Sequence, residues 1–154
     1  MTKKVNIEID FNRDNFLIAI SCHRKDYWIA YKINEVLKTD LKRTDDLPVF
    51  NDKLDELIHY PLYYYHDFDC EINYYLLINH NSKAKLFPSQ KTTDFFLLIN
   101  GPASDKFVQD KVKKIKGIPN VLMAYETALS KIKVIDNFLL DLELHMLEIS
   151  KKMK

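Results

Sequence analysis

The chain has 154 residues, of which 47% are hydrophobic and 29% charged, a balance typical of one globular domain with a buried core. Its 23 Lys and Arg nearly equal its 22 Asp and Glu, so no overall field attracts nucleic acid or an anionic membrane. Only two glycines are present, Gly101 and Gly117. This excludes a nucleotide P-loop and a dinucleotide-binding fingerprint, because both loops need several glycines.

The N-terminal segment and the cysteines predict the compartment. "MTKKVNIEID" lacks the apolar stretch of a signal peptide, and no run of about 18 apolar residues could span a bilayer. Two cysteines in a chain without a targeting signal are expected to be free thiols, here Cys22 and Cys70. The sequence therefore predicts a cytoplasmic protein with no membrane partner.

The first third of the chain predicts strands around one helix. Residues 4–11 alternate apolar and polar as a half-buried strand does, and the apolar run at 15–21 predicts a second strand. A helix continuing into the next segment is the alternative for that run. Residues 25–38 predict an amphipathic helix, 41–43 a short strand, and 44–60, with its turn signals, a loop.

The second part of the chain is richer in strands. Residues 61–80 predict a β-hairpin whose turn is "DFDCE", and 81–93 predict a loop. A buried strand follows at 94–100, then a helix at 104–116 and a strand at 120–126. The helix is well delimited, since Ser104 is a typical N-cap and Gly117 is expected to supply a left-handed C-cap.

This order of elements predicts an α+β fold. Residues 94–126 form a βαβ unit with a right-handed crossover, and 15–43 can be interpreted as another. With the hairpin between them, the order resembles a ferredoxin-like sandwich, in which a mixed sheet carries helices on one face. We expect residues 1–130 to form a single domain, and 131–154 to form a C-terminal amphipathic helix packed on it.

The C-terminal segment carries two apolar stripes at helical spacing. The first steps by three and four residues through Ile132, Ile135, Leu139, Leu142, Met146, Ile149 and Met153. The second contains Leu140, Leu144 and Leu147. Strict alternation at 140–146 would also suit a strand, but Leu, Glu and Met favour a helix.

Two apolar stripes need two surfaces to bury them. The first stripe can pack on the sheet of its own domain, and leaving the second in water would forgo roughly 1.5–3 kcal/mol per side chain. Two-fold pairing is the commonest way to cover such a surface, so we expect a homodimer. The alternative is that a loop of the same chain, such as 44–60, folds over the second stripe.

Two groups of residues suggest catalysis or metal binding, although ordinary structural roles are favoured for both. Cys22 and His23 are neighbours on a strand, where adjacent side chains point to opposite faces and cannot easily act as nucleophile and base. One cluster of metal-ligand types lies in the predicted hairpin turn, at His66, Asp67, Asp69 and Cys70. Zinc sites show paired ligands twice over, so the aspartates are expected to form the turn. We assign no catalytic residue, metal or cofactor.

Association with RNA is the first alternative function. "KKIK" at 113–116 and the tyrosines at 63–65 resemble the basic and aromatic groups that bind RNA. However, lysines are favourable at any helix C-terminus, and tyrosine is common in strands. Nucleic acid is therefore not the favoured partner. The second alternative is a small enzyme that uses Cys22 or the acidic pair Asp45 and Asp46.

One motif resembles the signature of a small bacterial family named IPExxxVDY. In "FPSQKTTDF" at 87–95, Pro88 and Asp94 match outright, and Phe87 and Phe95 are apolar or aromatic equivalents. Thr93 replaces the valine and Ser89 the glutamate, and a serine cannot act as a general base unaided.

Two further segments are similar to the same family. "FLIAISCHRKDYWIAYKIN" at 16–34 contains its KDY element as Lys25, Asp26 and Tyr27, and "LKRTDDL" at 41–47 contains Asp45 and Asp46. The family has no assigned activity, so the resemblance implies a domain and no reaction. We therefore expect a non-enzymatic binding protein whose ligand is unknown.

Asp94 is expected to be architectural. An aspartate at the mouth of a strand commonly accepts hydrogen bonds from nearby backbone amides and so fixes the end of a loop. Pro88 would stiffen the same loop. A catalytic role would need a second titratable group nearby, and Lys91 is the only local candidate in the sequence.

Overall fold

The computed structural model describes residues 14–132 and 135–152, so the strand predicted at 4–11 lies outside the described residues. Six strands are described: β1 Asn15–Cys22, β2 Lys42–Asn51, β3 Glu56–Asp67, β4 Ile72–Ile78, β5 Phe95–Asn100 and β6 Val121–Thr127. Three α-helices accompany them: α1 Asp26–Leu37, α2 Asp105–Lys116 and α3 Ile135–Lys152. The chain is therefore α+β.

The strands form one open sheet in the order β2-β3-β4-β5-β1-β6. Every neighbouring pair is antiparallel. The predicted mixed sheet is therefore wrong for the described part of the chain. The reason is that β1 lies between β5 and β6, so the two parallel strands joined by α2 do not pair with each other.

Both faces of the sheet are covered, by different elements. The helices α1 and α2 pack on one face, where Ile33 and Val108 are fully buried among Ile18, Ile20 and other strand residues. The third helix, α3, packs on the opposite face. Strands buried on both faces carry near-continuous apolar runs. This explains why β1 and β5 could be recognised in the sequence.

The segment predicted as a loop at 44–60 is instead a hairpin of β2 and β3, and this prediction is wrong. β2 lies at the edge of the sheet, and most of its side chains are exposed or half-buried, so its sequence lacks a buried strand's pattern. Pro48 is tolerated because an edge strand pairs on one side only. The Asn51 side chain accepts a 2.9 Å hydrogen bond from the Leu54 amide and shapes the turn.

The start of α2 agrees with the prediction from the sequence, and its end does not. Ser104 Oγ accepts a 3.1 Å hydrogen bond from the Phe107 amide, which confirms the predicted N-cap. Gly117 ends the helix with φ −77°, so the predicted left-handed conformation there is wrong. The chain instead turns at Asn120, with φ +78°.

The C-terminal helix α3 buries its first stripe against the sheet. Ile135, Leu139 and Leu142 are buried and Met146 is half-buried, as the spacing predicts, while Met153 lies outside the described residues. The strand alternative for 140–146 is therefore wrong. Within residues 14–132 and 135–152, no helix is long and apolar enough to cross a membrane.

Candidate functional site

Three asparagines lie side by side at one end of the sheet, on the face that carries α3. Asn100 on β5 is the register partner of both Asn73 on β4 and Asn15 on β1. The Asn73 side chain donates to Asn100 Oδ1 at 3.0 Å, and the Asn100 side chain donates to Asn15 Oδ1 at 2.9 Å. We call Asn15, Asn73 and Asn100 the amide row.

Strand β3 extends this polar line with two further side chains. The Tyr64 hydroxyl donates to Asn73 Oδ1 at 2.7 Å, and His66 Nδ1 lies 2.8 Å from the same oxygen. Because Asn73 Oδ1 is the acceptor, the imidazole carries its proton on Nδ1 when it is neutral. The hydrogen-bonded line thus crosses four strands on the face that carries α3.

A cavity of about 270 Å³ lies between the amide row and α3. We call it the α3 cleft. Besides the amide row it is lined by Tyr75, Leu98, Leu139, Leu142, Glu143, Met146 and Leu147. Among the residues that the structure describes, Glu143 is the one charged member of this lining. The described cleft therefore combines neutral hydrogen-bonding groups, an apolar wall and a negative charge.

The phenol of Tyr75 is held in its neutral form. Burial raises the pKa of Tyr75 above its ordinary value, and the neighbouring Tyr64 and Glu143 raise this pKa further. The Tyr75 and Tyr64 rings lie 5.1 Å apart, centre to centre. Burial also raises the pKa of Tyr64. Both hydroxyls therefore keep their protons to a higher pH than an ordinary tyrosine does.

The second stripe of α3 lies on the solvent side of the helix. Leu140, Leu144 and Leu147 are 47%, 54% and 55% exposed, respectively. The alternative in which residues 44–60 cover these leucines is wrong. That hairpin meets the polar side of α3 instead, where Lys152 Nζ donates to Asp45 Oδ2 at 3.0 Å. We call these three leucines the outer stripe.

The motif at 87–95 forms the end of the loop between β4 and β5. The Phe87 ring packs edge-on against Phe96 and Phe138, each with 5.0 Å between ring centres. Pro88 lies in a turn closed by a 2.9 Å hydrogen bond from the Gln90 amide to the Phe87 carbonyl. Phe95 is buried on the opposite face, beneath α1 and α2.

Asp94 holds two parts of the chain together. Its Oδ2 accepts a 2.8 Å hydrogen bond from the Cys22 amide, and its Oδ1 lies 2.5 Å from His80 Nε2. Lys85 Nζ lies 2.8 Å from His80 Nδ1, so a neutral His80 donates from Nε2 to Asp94. The sequence suggested only Lys91 as a partner, because nothing in its spacing indicates His80 and Lys85.

Asn79 organises the loop between β4 and β5. It is fully buried, and its side chain donates to the carbonyls of Gln90 at 3.0 Å and Thr93 at 2.8 Å. Its Oδ1 accepts a 2.8 Å hydrogen bond from the Phe87 amide. In the sequence, this role of Asn79 is indicated only by the position of a polar residue at the end of an apolar strand.

The catalytic and metal candidates are not brought together. Cys22 is buried, and desolvation raises the pKa of its thiol, whereas an activated thiolate needs a lowered pKa. In the hairpin turn, Asp67 Oδ1 accepts hydrogen bonds from the amides of Asp69 at 2.9 Å and Cys70 at 3.3 Å. Among the described residues, no group of three metal-ligand types gathers.

The other family-like positions lie around α1 and β2. Lys25 precedes α1, and Asp26 Oδ2 accepts a 3.0 Å hydrogen bond from the Tyr63 hydroxyl. Tyr27 is 66% exposed. Asp46 pairs with the Arg43 guanidinium at 2.7 Å, while Asp45 bonds Lys152. The two aspartates therefore have separate partners and do not form an acidic pair.

Comparison with family models, curated proteins and solved structures finds no match to this chain. The resemblance to the IPExxxVDY family stays a prediction.

Proposed function

We propose that this chain is a non-enzymatic binding protein of the IPExxxVDY type that works as a homodimer, with the outer stripe of α3 at the interface. The observation that carries this proposal is the exposure of about half of each of Leu140, Leu144 and Leu147. Burying a whole leucine contributes about 1.5–3 kcal/mol, so covering the exposed halves of the three would contribute roughly 2–5 kcal/mol.

A second copy of the chain is the partner that best fits the charges beside the outer stripe. Asp136 lies in the first turn of α3 and Lys151 in the last, and both are exposed. If two copies of α3 cross antiparallel at Leu144, each Asp136 approaches the partner's Lys151. The contact is then self-complementary, as a two-fold interface must be.

The structural roles of the residues first considered for catalysis support binding over an enzymatic function. The Cys22 thiol is buried with a raised pKa, and Asp45 and Asp46 are each paired with a separate cation. These were the two sets of residues on which an enzymatic interpretation of the sequence depended.

We further propose that the fold is a ferredoxin-like sandwich with an inserted hairpin. The elements β1, α1, β4, β5, α2 and β6 follow the β-α-β-β-α-β order of that motif. β2 and β3 then extend the sheet beyond β4. An experimental structure in which β5 and β6 pair directly would overturn this assignment.

Light scattering after gel filtration tests the homodimer. The wild-type protein should elute at twice 18.3 kDa, and Leu140→Glu/Leu144→Glu should elute as a monomer. Leu122→Glu is the matched control, because Leu122 is 62% exposed on β6, away from α3. A wild-type monomer at high micromolar concentration would refute the proposal, and a dimer that survives the double substitution would place the interface elsewhere.

Association with RNA is a second candidate because α1 presents aromatic and basic side chains together. Tyr27 and Tyr31, one helical turn apart, are 66% and 61% exposed. On the neighbouring ridge, the Arg24 guanidinium and Lys32 Nζ lie 4.9 Å and 5.7 Å from the centre of the Trp28 ring. Exposed aromatic rings stack on bases, and adjacent cations neutralise phosphates.

A gel shift with a short single-stranded RNA tests this candidate. Tyr27→Ala/Tyr31→Ala should weaken the shift, whereas Phe50→Ala, at an aromatic residue 52% exposed on β2, should not. A wild-type protein that gives no shift removes RNA from consideration.

A further inference from the structure

We infer that the α3 cleft is a binding site for a small organic cation, an amine or guanidinium carried on a short apolar body. This inference goes beyond self-association and does not depend on it. It rests on the charge, the hydrogen-bonding capacity and the apolar surface that meet in one cavity of about 270 Å³.

The charge of the lining determines the sign of the charge that a ligand must carry. Glu143 contributes a carboxylate to the cleft, and among residues 14–132 and 135–152 no lysine, arginine or histidine belongs to the lining. Glu143 would repel a phosphate or carboxylate ligand, which would find no cation to pair with in the described part of the lining. A cationic ligand would gain a charge-assisted hydrogen bond to Glu143, which is about twice as strong as a neutral one.

The amide row supplies neutral acceptors in the same lining as this carboxylate. A carboxamide oxygen can accept two hydrogen bonds, and Asn100 Oδ1 accepts one within the row, from Asn73. Its second lone pair is available to a ligand N–H. An ammonium or guanidinium carries several such donors, so it can bond Glu143 and Asn100 together.

The apolar part of the lining selects for an apolar body. Leu139, Leu142 and Met146 of α3 line the cleft together with Leu98 and the Tyr75 ring. Aromatic faces attract cations, and the leucines and methionine gain by losing contact with water. The cavity is smaller than the roughly 300–1,000 Å³ of sites that hold drug-sized ligands. It therefore suits a small amine.

Three probes of equal size distinguish the charge classes: benzylamine, benzyl alcohol and benzoate. NMR titration of the wild-type protein should show saturable shifts of the Asn73 and Asn100 side-chain amide resonances with benzylamine. Benzyl alcohol should bind at least tenfold more weakly, and benzoate should not bind. If benzyl alcohol or benzoate binds as tightly as benzylamine, or if no probe gives saturable shifts, the inference is wrong.

Substitution of Glu143 provides a second test of the inference. Glu143→Gln keeps the shape of the side chain and removes its charge, so benzylamine affinity should fall about tenfold or more. Glu148→Gln is the matched control, because Glu148 is an exposed glutamate of the same helix outside the cleft lining. If both substitutions weaken benzylamine binding equally, the overall charge of α3 attracts the amine. That result would overturn the assignment of the binding site to the cleft. Light scattering on the same samples reads out self-association separately.

Discussion

Asp94 accepts a 2.8 Å hydrogen bond from the backbone amide of Cys22, a residue 72 positions earlier in the chain. This contact joins the entrance of β5 to the end of β1. Because Asp94 is buried, removal of its carboxylate would leave the Cys22 amide without an acceptor and with little access to water. The architectural role of Asp94 can therefore be measured as stability.

Asp94→Ala should lower the free energy of unfolding by about 1–3 kcal/mol, the cost of a buried unpaired donor. Asp94→Asn keeps an acceptor oxygen and should lose less. Urea denaturation measures both, with the exposed Asp69→Ala as control. If Asp94→Ala leaves the free energy of unfolding unchanged while a binding activity disappears, Asp94 belongs to a functional site.

Asn79→Ala should destabilise the loop between β4 and β5 in particular. The substitution removes side-chain partners from the Phe87 amide and from the Gln90 and Thr93 carbonyls. We expect a loss of about 1–3 kcal/mol, together with faster proteolysis within residues 80–93. Asn81→Ala, at a half-buried position of the same loop, is the control. Equal protease resistance of wild type and Asn79→Ala would contradict this role.

The two thiols should react at very different rates. Burial raises the pKa of Cys22, so at neutral pH its thiolate is rarer than that of an ordinary cysteine, and Cys70 is exposed. Iodoacetamide should therefore label Cys70 first and Cys22 mainly after unfolding. Peptide mass spectrometry measures both sites. Fast labelling of Cys22 in the folded protein would indicate an activated thiol.

Stability should fall with alkaline pH because of buried tyrosines. Burial raises the pKa of Tyr74 to about 12 from its ordinary value of 10.0. Between these values the unfolded chain has released the proton and the folded chain has kept it. Unfolding is thus favoured as pH rises, by at most about 1.4 kcal/mol per pH unit for each such group. Tyr74→Phe should flatten the decline of the urea midpoint above pH 10, whereas the exposed Tyr27→Phe should not.

The antiparallel arrangement of the proposed dimer can be tested by exchanging charges. Asp136→Lys and Lys151→Asp should each weaken self-association, because each places like charges together across the two-fold axis. The double substitution should restore it. Sedimentation at several concentrations measures the effect. Additive weakening in the double variant would exclude an Asp136–Lys151 contact.

The sequence predicted the elements that a continuous apolar run or a helix cap marks in the chain. Strands β1 and β5 are buried on both faces and were visible as apolar runs, and Ser104 marked the start of α2. The hairpin of β2 and β3 was missed because an edge strand with mostly exposed side chains carries a polar sequence. Burial, more than intrinsic propensity, made these strands recognisable.

The candidate site was beyond prediction from the sequence for a different reason. Asn15, Asn73 and Asn100 lie far apart in the chain, and only the strand register makes them neighbours. The same applies to the contact of Asp94 with His80. No fixed spacing marks a group that forms through sheet register, whereas the α3 stripes have a helical period and were found.

Leu147 belongs both to the wall of the α3 cleft and to the outer stripe. One side chain would thus contribute to two proposed binding equilibria, and a shift in its rotamer would change the free energy of both. Thermodynamic linkage then fixes how they are related. If a bound cation changes the dimerisation constant by some factor, dimerisation changes the affinity for the cation by the same factor.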